Sequence, residues 1–304
     1  MQSNVTPVGR FAPTPSGRMH LGNVFSALIS WVSVKARGGR WILRMEDLDT
    51  QRTSEELAET IRQDLRWLGL FWDEESRPQS KNQEVYHQYF GELSRQNLLY
   101  PCYCTRSQLH SVNAPHLSDG TYVYPGTCRN LSPQEQEAFG RPGAWRVKVP
   151  EGIWTVEDLC QGTFTQNLAT DCGDFVVRRA DGVYVYQLAV TVDDALAGVN
   201  EVVRGLDLLA SAPRQMYLQS LLGFSHPAYG HVPLIVSADG RRLSKRDADM
   251  DLGALRKKMT PEMLIGTLAH ASGLLARREA ISAEELAREF SWEKLKKTDF
   301  SVEL

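Results

Sequence analysis

The first hundred residues alternate between two hydrophobic periods, and that alternation constrains the fold more than any other feature. Val8 to Phe11 reads as a short strand. A Pro/Gly loop, Pro13-Thr-Pro-Ser-Gly17, follows it and leads into a helical run from Val24 to Val32. Trp41 to Met45 reads as a second strand, with a Gly-Gly turn before it. From Ser54 onward, Leu57, Ile61, Leu65 and Leu68 recur at helical spacing. Ser54 suits the N-cap, and Glu55 and Glu56 suit the positive end of the helix dipole. Strand, helix, strand, helix in this order predicts an α/β fold: a Rossmann-type, doubly wound parallel sheet.

The pattern breaks near Tyr100. The reading is four segments: 1–99, the first half of the Rossmann domain; 100–178, an inserted α+β module rich in Cys, Pro and Gly; 179–252, the second half; and 253–304, a short helical C-terminal segment. Regular order returns with Val183 to Val192, read as a strand that ends at Val192-Asp-Asp194, and His231 to Val236 is a further strand candidate. Thr260-Pro261 predicts a capped helix start with proline at its first position. Ser282 to Glu285 fits a capping box.

Composition sets outer limits. In 304 residues, 42% hydrophobic and 23% charged, there is room for two domains with a buried core. No apolar run approaches the roughly 18–20 residues of a membrane helix, and the N-terminus lacks the pattern of a secretion signal. Five cysteines argue against a disulfide framework and for free thiols or a metal site in a reducing, cytoplasmic compartment. The net charge of −3 shows no global preference for nucleic acid, so any RNA contact must be local. Arg241 to Arg246, Arg256 to Lys258 and Lys294 to Lys297 are the basic clusters, and each alone reads as solvated surface.

Two separated pieces carry chemistry. In Arg10-Phe-Ala-Pro-Thr-Pro-Ser-Gly-Arg-Met-His-Leu-Gly-Asn23, a strand runs through a loop into a helix opened by His20-Leu-Gly-Asn23. Such an N-terminus suits anionic phosphates; Gly22 would let a ligand lie close, and His20 could donate to a phosphate. Far downstream, Arg242-Leu-Ser-Lys-Arg246 places Ser244 and Lys245 in a loop able to close over a triphosphate. Either fragment alone is commonplace.

In this order on an α/β scaffold, the two resemble the HIGH and KMSKS signatures of class I aminoacyl-tRNA synthetases. Asn23 stands where a second histidine is usual, and Arg242, Leu243 and Arg246 depart from the usual letters. Arg10-Phe-Ala-Pro-Thr-Pro-Ser-Gly17, Arg44-Met-Glu-Asp-Leu-Asp49, Tyr186-Gln-Leu-Ala189 and Glu201 to Asp207 are similar to motifs of the glutamyl-tRNA synthetases. The resemblance implies that His20, Gly22, Asn23, Ser244 and Lys245 serve ATP, with His20 and Lys245 catalytic. It also implies that Arg10, Phe11, Ala12, Pro13, Thr14, Ser16, Glu46, Tyr186 and Arg204 line a pocket for L-glutamate. The chemistry agrees: a dicarboxylate calls for guanidinium groups, Arg10 and Arg204, and its ammonium calls for a carboxylate, Glu46.

Cys102-Tyr-Cys104 and Cys128 form a zinc pattern one ligand short of four. His110, His116, Tyr122 and Tyr124 lie within the loop, and ligand chemistry alone favours His110 or His116. The chain further resembles the short glutamyl-tRNA synthetase paralogues, the glutamyl-Q tRNA(Asp) synthetases, whose zinc site is of Cys-x-Cys and Tyr-x-x-x-Cys form. Tyr124-Pro-Gly-Thr-Cys128 matches that spacing, which implies Tyr124 as fourth ligand to one structural Zn²⁺, with His116 as competitor. Cys160 and Cys172 read as small core residues.

The chain ends at Leu304, about sixty residues past Lys245, too few for an anticodon-binding domain of typical size. The resemblance therefore implies ATP- and Mg²⁺-dependent activation of glutamate and its transfer to queuosine in the anticodon loop of tRNA(Asp), by an enzyme expected to be monomeric with no membrane partner. Three rivals stand beside it. They are a truncated synthetase charging a tRNA 3′ end, a glutamine-specific enzyme, and an inactive RNA-binding paralogue. A dinucleotide oxidoreductase is disfavoured, since no G-x-G-x-x-G follows the first strand.

Overall fold

The structure, a computed structural model, describes residues 5–111, 123–237, 240–241 and 251–304. Strand β1 (Val8–Phe11) leads through the Pro/Gly loop to helix α1 (Leu21–Lys35), then β2 (Arg40–Leu43), α2 (Glu55–Trp67) and β3 (Glu74–Glu75). The expected signals act where they were read. Ser54 Oγ accepts from the Leu57 amide at 3.2 Å and opens α2. Residues of β2 alternate between faces: Trp41 and Leu43 pack with α1, while Ile42 packs with Val156, Val202 and Tyr229 on the other side. Helix α1 lies directly on the sheet. A Cβ at Gly9 would come within 2.4 Å of Val34, so only glycine permits that approach.

After α3 (Gln83–Arg95) come β4 (Leu99–Cys102), α4 (Arg106–Ser111), α5 (Pro133–Glu137), β5 (Ala144–Val147), β6 (Ile153–Asp158), β7 (Gly162–Asn167), α6 (Leu168–Asp171) and β8 (Phe175–Arg178). Strands β4, β5 and β8 form a separate antiparallel sheet. The β6–β7 hairpin instead joins the main sheet.

The chain then enters α7 (Tyr186–Leu196), β9 (Glu201–Gly205), α8 (Ser211–Leu222), β10 (Ala228–Val232) and β11 (Ile235–Val236). The expected strand from Val183 to Asp194 is a helix from Tyr186 onward. Its β-branched residues favour a strand on propensity, but tertiary burial of Leu188, Ala189 and Val192 against α3 and α8 overrides that preference. The His231 to Val236 strand is two strands, interrupted at Pro233, which has no N–H for a ladder.

The main sheet runs β3-β2-β1-β9-β10-β6-β7 and is parallel except for the β6–β7 hairpin. Strand order reverses between β1 and β9. In open parallel sheets, ligands bind outside the carboxyl ends at such a reversal.

The C-terminal part contains α9 (Leu252–Leu255), α10 (Pro261–Ala271), α11 (Ala283–Glu289) and β12 (Phe300–Ser301), which pairs with β11. Thr260 caps α10 with Pro261 at its first turn, and Ser282 and Glu285 form the capping box of α11. Helix α11 packs on α1 within one continuous core. Arg256 pairs with buried Asp64, and the exposed Lys296 donates to the Ala271 carbonyl. No helix of the described residues is long and apolar enough to cross a membrane.

Candidate active site

A cavity of about 640 Å³ opens at the carboxyl ends of β1 and β9, where the strand order reverses. Arg10, Phe11, Ala12, Pro13, Thr14 and Ser16 enter it from β1 and the following loop. His20, Gly22 and Asn23 enter from the start of α1, Glu46 from beyond β2, Tyr186 from the first turn of α7, and Arg204 from β9. Every candidate for the glutamate pocket thus shares one cavity with the first signature. Ser244 and Lys245, with Arg242 to Arg246, lie outside the described residues.

Backbone bonds hold this wall in shape. The Arg44 amide donates to the Phe11 carbonyl at 3.0 Å, and the Glu46 amide donates to the Pro13 carbonyl at 2.9 Å. The loop after β1 is thereby tied to the residues after β2.

His20 is the N-cap of α1. Its Nδ1 accepts from the Gly22 amide at 3.1 Å, so in the neutral ring the proton sits on Nε2 and makes that nitrogen a donor. Asn23 Oδ1 accepts from the His20 amide and completes a capping box. A Cβ on Gly22 would meet the His20 ring at 3.0 Å, so the close neighbour Gly22 admits here is that ring.

A buried charge network lies beneath the cavity. Asp194, on α7, accepts from Arg10 Nε at 3.2 Å and from Arg44 Nη1 at 2.6 Å. Arg10 Nη1 also donates to the Val203 carbonyl at 3.1 Å, and Arg44 Nη2 donates to Glu46 Oε1 at 3.2 Å. Burial works to raise the Asp194 carboxyl, but Arg44 and Arg10 outweigh it and hold it below its ordinary range. Burial prevails at Glu46, whose carboxyl is pushed up against the pull of Arg44 and Arg10. Neighbouring Asp193 is held by Tyr86, Gln79 and Asn82.

Arg204 is held on several sides. Nη1 donates to Gln215 Oε1 at 2.8 Å and to the Tyr186 hydroxyl at 3.2 Å, and Nη2 donates to the Leu208 carbonyl at 3.3 Å. Nε points to His231 Nε2 at 3.0 Å, and His231 Nδ1 lies 2.6 Å from Asp158 Oδ2. Arg44, Asp158, Asp194, Gln215 and His231 are absent from the sequence-derived candidates. Two adjacent acids in the apolar run Val190 to Asp194 were a legible hint for Asp194. Arg44 opens the quoted Arg44 to Asp49 motif, two residues before Glu46, whereas Asp158, Gln215 and His231 are brought in by tertiary contact alone.

The three cysteines of the insertion also converge. Their sulfurs lie within 4.8 Å of one another, with Cys104 and Cys128 Sγ at 3.6 Å. The Tyr124 hydroxyl is 3.4 Å from Cys102 Sγ and 3.8 Å from Cys104 Sγ, and accepts from the Cys128 amide. Gly173 brings Tyr124 there: it adopts φ +70° and a Cβ would meet the Tyr124 carbonyl at 2.2 Å. Arg146 stacks on the Tyr124 ring, its guanidinium 3.7 Å from the centroid. Three thiols and a hydroxyl at these separations fit a tetrahedral metal ion with sulfur bonds of about 2.3 Å. His116, Tyr122 and the side chain of His110 lie outside the described residues. Cys160 and Cys172 are buried in core clusters, as expected.

The sequence model of the family described as "tRNA synthetases class I (E and Q), catalytic domain" matches residues 7–303. The chain belongs to this family. A glutamyl-Q tRNA(Asp) synthetase of Symbiobacterium thermophilum is 47% identical, covering 91% of this chain and 90% of that protein. One from Thiobacillus denitrificans is 45% identical over 86% and 85%. Among solved structures, a glutamate tRNA ligase from Elizabethkingia meningosepticum, in complex with its amino acid, superposes with a TM-score of 0.83 at 27% identity. It matches over 98% of this chain and 67% of its own.

Proposed function

We propose that this chain activates L-glutamate with ATP and transfers it to queuosine at the wobble position of tRNA(Asp). The observation that carries the reading is the convergence of Arg10, Glu46, Tyr186 and Arg204 in one cavity with the His20 helix start. Relatives of matching length named for this reaction support the choice of acceptor.

The residues divide the work. Arg10 and Arg204 set a positive field for the substrate carboxylates, and Glu46 receives its ammonium. The α-carboxylate then attacks the α-phosphorus of ATP in line with departing pyrophosphate, and the enzyme supplies orientation rather than a nucleophile. Nε2 of His20 donates toward the phosphates, and Lys245 neutralises charge on the leaving group. Mg²⁺ enters as the counter-ion of ATP. A hydroxyl of the queuosine cyclopentene diol opens the mixed anhydride, forming the ester and releasing AMP. Cys102, Cys104, Tyr124 and Cys128 would hold one structural Zn²⁺, and its binding there would fasten β4 to the segment around Tyr124. Action in the cytoplasm as a monomer completes the reading.

The test uses labelled glutamate, ATP and tRNA from normal or queuosine-deficient cells, with the label mapped by nuclease digestion. Label on an anticodon fragment, lost with queuosine-deficient tRNA, is the expected result. Label on the 3′-terminal adenosine, equal in both pools, would overturn it in favour of a truncated charging enzyme.

A further inference from the structure

Arg204 is one end of a buried chain that crosses three strands' worth of sequence. Asp158 ends β6, His231 is on β10 and Arg204 is on β9, and all three are buried. Asp158 accepts from the backbone amides of Cys160, Gln161 and His231, and its Oδ2 lies 2.6 Å from His231 Nδ1. The guanidinium Nε of Arg204 always carries a proton, so His231 Nε2 must be the acceptor of that 3.0 Å bond. The ring proton therefore sits on Nδ1 and is donated to Asp158. Each group fixes the next: the carboxylate selects the tautomer, and the tautomer gives Arg204 an acceptor.

The remaining bonds show what this aim achieves. Nε to His231, Nη1 to Gln215 and Tyr186, and Nη2 to Leu208 engage four of the five guanidinium N–H donors. The guanidinium plane is thus fixed at the cavity wall before a ligand arrives, which lowers the ordering cost of binding. The Tyr229 ring stacks parallel to His231 and lies under Arg204, closing the chain from water.

We propose that Asp158 and His231 are positioning residues that set Arg204 for the substrate carboxylate, through an imidazole held neutral with its proton on Nδ1. The proposal rests on the reading of the cavity as the glutamate site. It also gives the β6–β7 hairpin a part in amino-acid binding, since Asp158 is the hairpin's contribution to the chain.

The test is ATP–pyrophosphate exchange with Asp158→Asn. Its Oδ1 can still accept from the backbone amides, but its Nδ2–H₂ would face His231 Nδ1. The ring proton then moves to Nε2 and confronts the Arg204 Nε–H, donor against donor. The expected result is a rise of about tenfold or more in the KM for glutamate, with the KM for ATP unchanged within about twofold. His231→Gln, whose amide can accept from Arg204 and donate to Asp158, should stay within about threefold of the parent, whereas His231→Leu should match Asp158→Asn. In an Arg204→Ala background, Asp158→Asn should add no further rise.

The proposal is overturned if Asp158→Asn leaves the glutamate KM unchanged while Arg204→Ala raises it; the glutamate reading then stands. It is also overturned if Asp158→Asn raises both KM values together and lowers the melting temperature, which marks a purely structural role. Should Asp158→Asn not fold, the His231→Leu against His231→Gln comparison decides in the same way. Arg204→Ala without effect on the glutamate KM would overturn the site reading itself.

Discussion

Arg44 and Asp194, 150 positions apart in the chain, meet in a 2.6 Å ion pair with side chains 1% and 8% exposed. Asp194 also takes the Nε–H of Arg10, so one helical carboxylate holds two arginines that the sequence places on different strands or strand ends. Truncating one member of such a buried group leaves the others uncompensated. Asp194→Asn should therefore destabilise the chain by about 3–5 kcal/mol in denaturant unfolding. The pH profile follows from the same pairing. The folded carboxyl is held below its ordinary value, so its contribution is complete above the ordinary carboxylate range. It fades as pH falls through the lowered value, and Asp194→Asn should flatten that acid limb.

His231 predicts a second, separate pH dependence. Burial, reinforced by Arg204, lowers its pKa from 6.5 to about 4, and the bond to Asp158 does not reverse this. The unfolded ring charges before the folded one. Its contribution to stability is present above pH 6.5 and is lost as pH falls toward 4, about 3 kcal/mol in all. The curves for parent and His231→Gln should diverge across that window. Parallel curves would show that the folded ring titrates normally.

What was legible in the sequence, and what was not, divides along a physical line. Local signals succeeded. The Ser54 and Thr260 caps, the Ser282–Glu285 box and the helix opened by His20 are decided by residues within one turn. Helix α7 failed because Val185, Val190, Thr191 and Val192 carry strand propensity, while the fact that overrides it is burial between distant helices. The β6–β7 hairpin lies within the stretch read as the inserted α+β module, and its membership of the main sheet rests on the pairing of β6 with β10, about seventy residues downstream, which no local pattern encodes. Asp158 and His231 meet through parallel register between β6 and β10, which no local spacing encodes. The described candidates for the glutamate pocket and the His20 helix start share one cavity because the strand-order reversal gathers the ends of β1 and β9.

Gly266 tests how closely the C-terminal segment is fitted. A Cβ there would come within 1.6 Å of the Glu279 carbonyl oxygen, a backbone atom that cannot swing aside. Gly266→Ala should cost about 1–3 kcal/mol, the range for overpacked sites, and lower the melting temperature. An unchanged melting temperature would mean that residues 279–280 shift freely away from α10.

The cysteine cluster predicts metal content independently of activity. Protein purified without added zinc should contain about one zinc per chain by metal analysis. Replacing Cys102 and Cys104 together by serine should abolish it. Gly173→Ala should also reduce it, because the new Cβ pushes the Tyr124 backbone away from the three sulfurs although no ligand residue is itself replaced. Full zinc retention in Tyr124→Phe would remove the hydroxyl from the ligand set and direct attention to His116.

Arg10 and Lys245 should fail in opposite ways. Arg10 faces the cavity from the end of β1, so Arg10→Ala should raise the KM for glutamate far more than that for ATP. Lost pairing with Asp194 would add a fall in melting temperature, which Arg10→Lys should partly restore without restoring glutamate binding. Lys245 is assigned to the leaving pyrophosphate. Lys245→Ala should therefore slow adenylate formation by a factor on the order of 10²–10³ at saturating substrates, with the melting temperature unchanged. A selective glutamate KM effect at Lys245, or a pure rate effect at Arg10, would exchange the two assignments. Equal effects of Arg10→Ala on both substrates would remove Arg10 from the carboxylate site altogether.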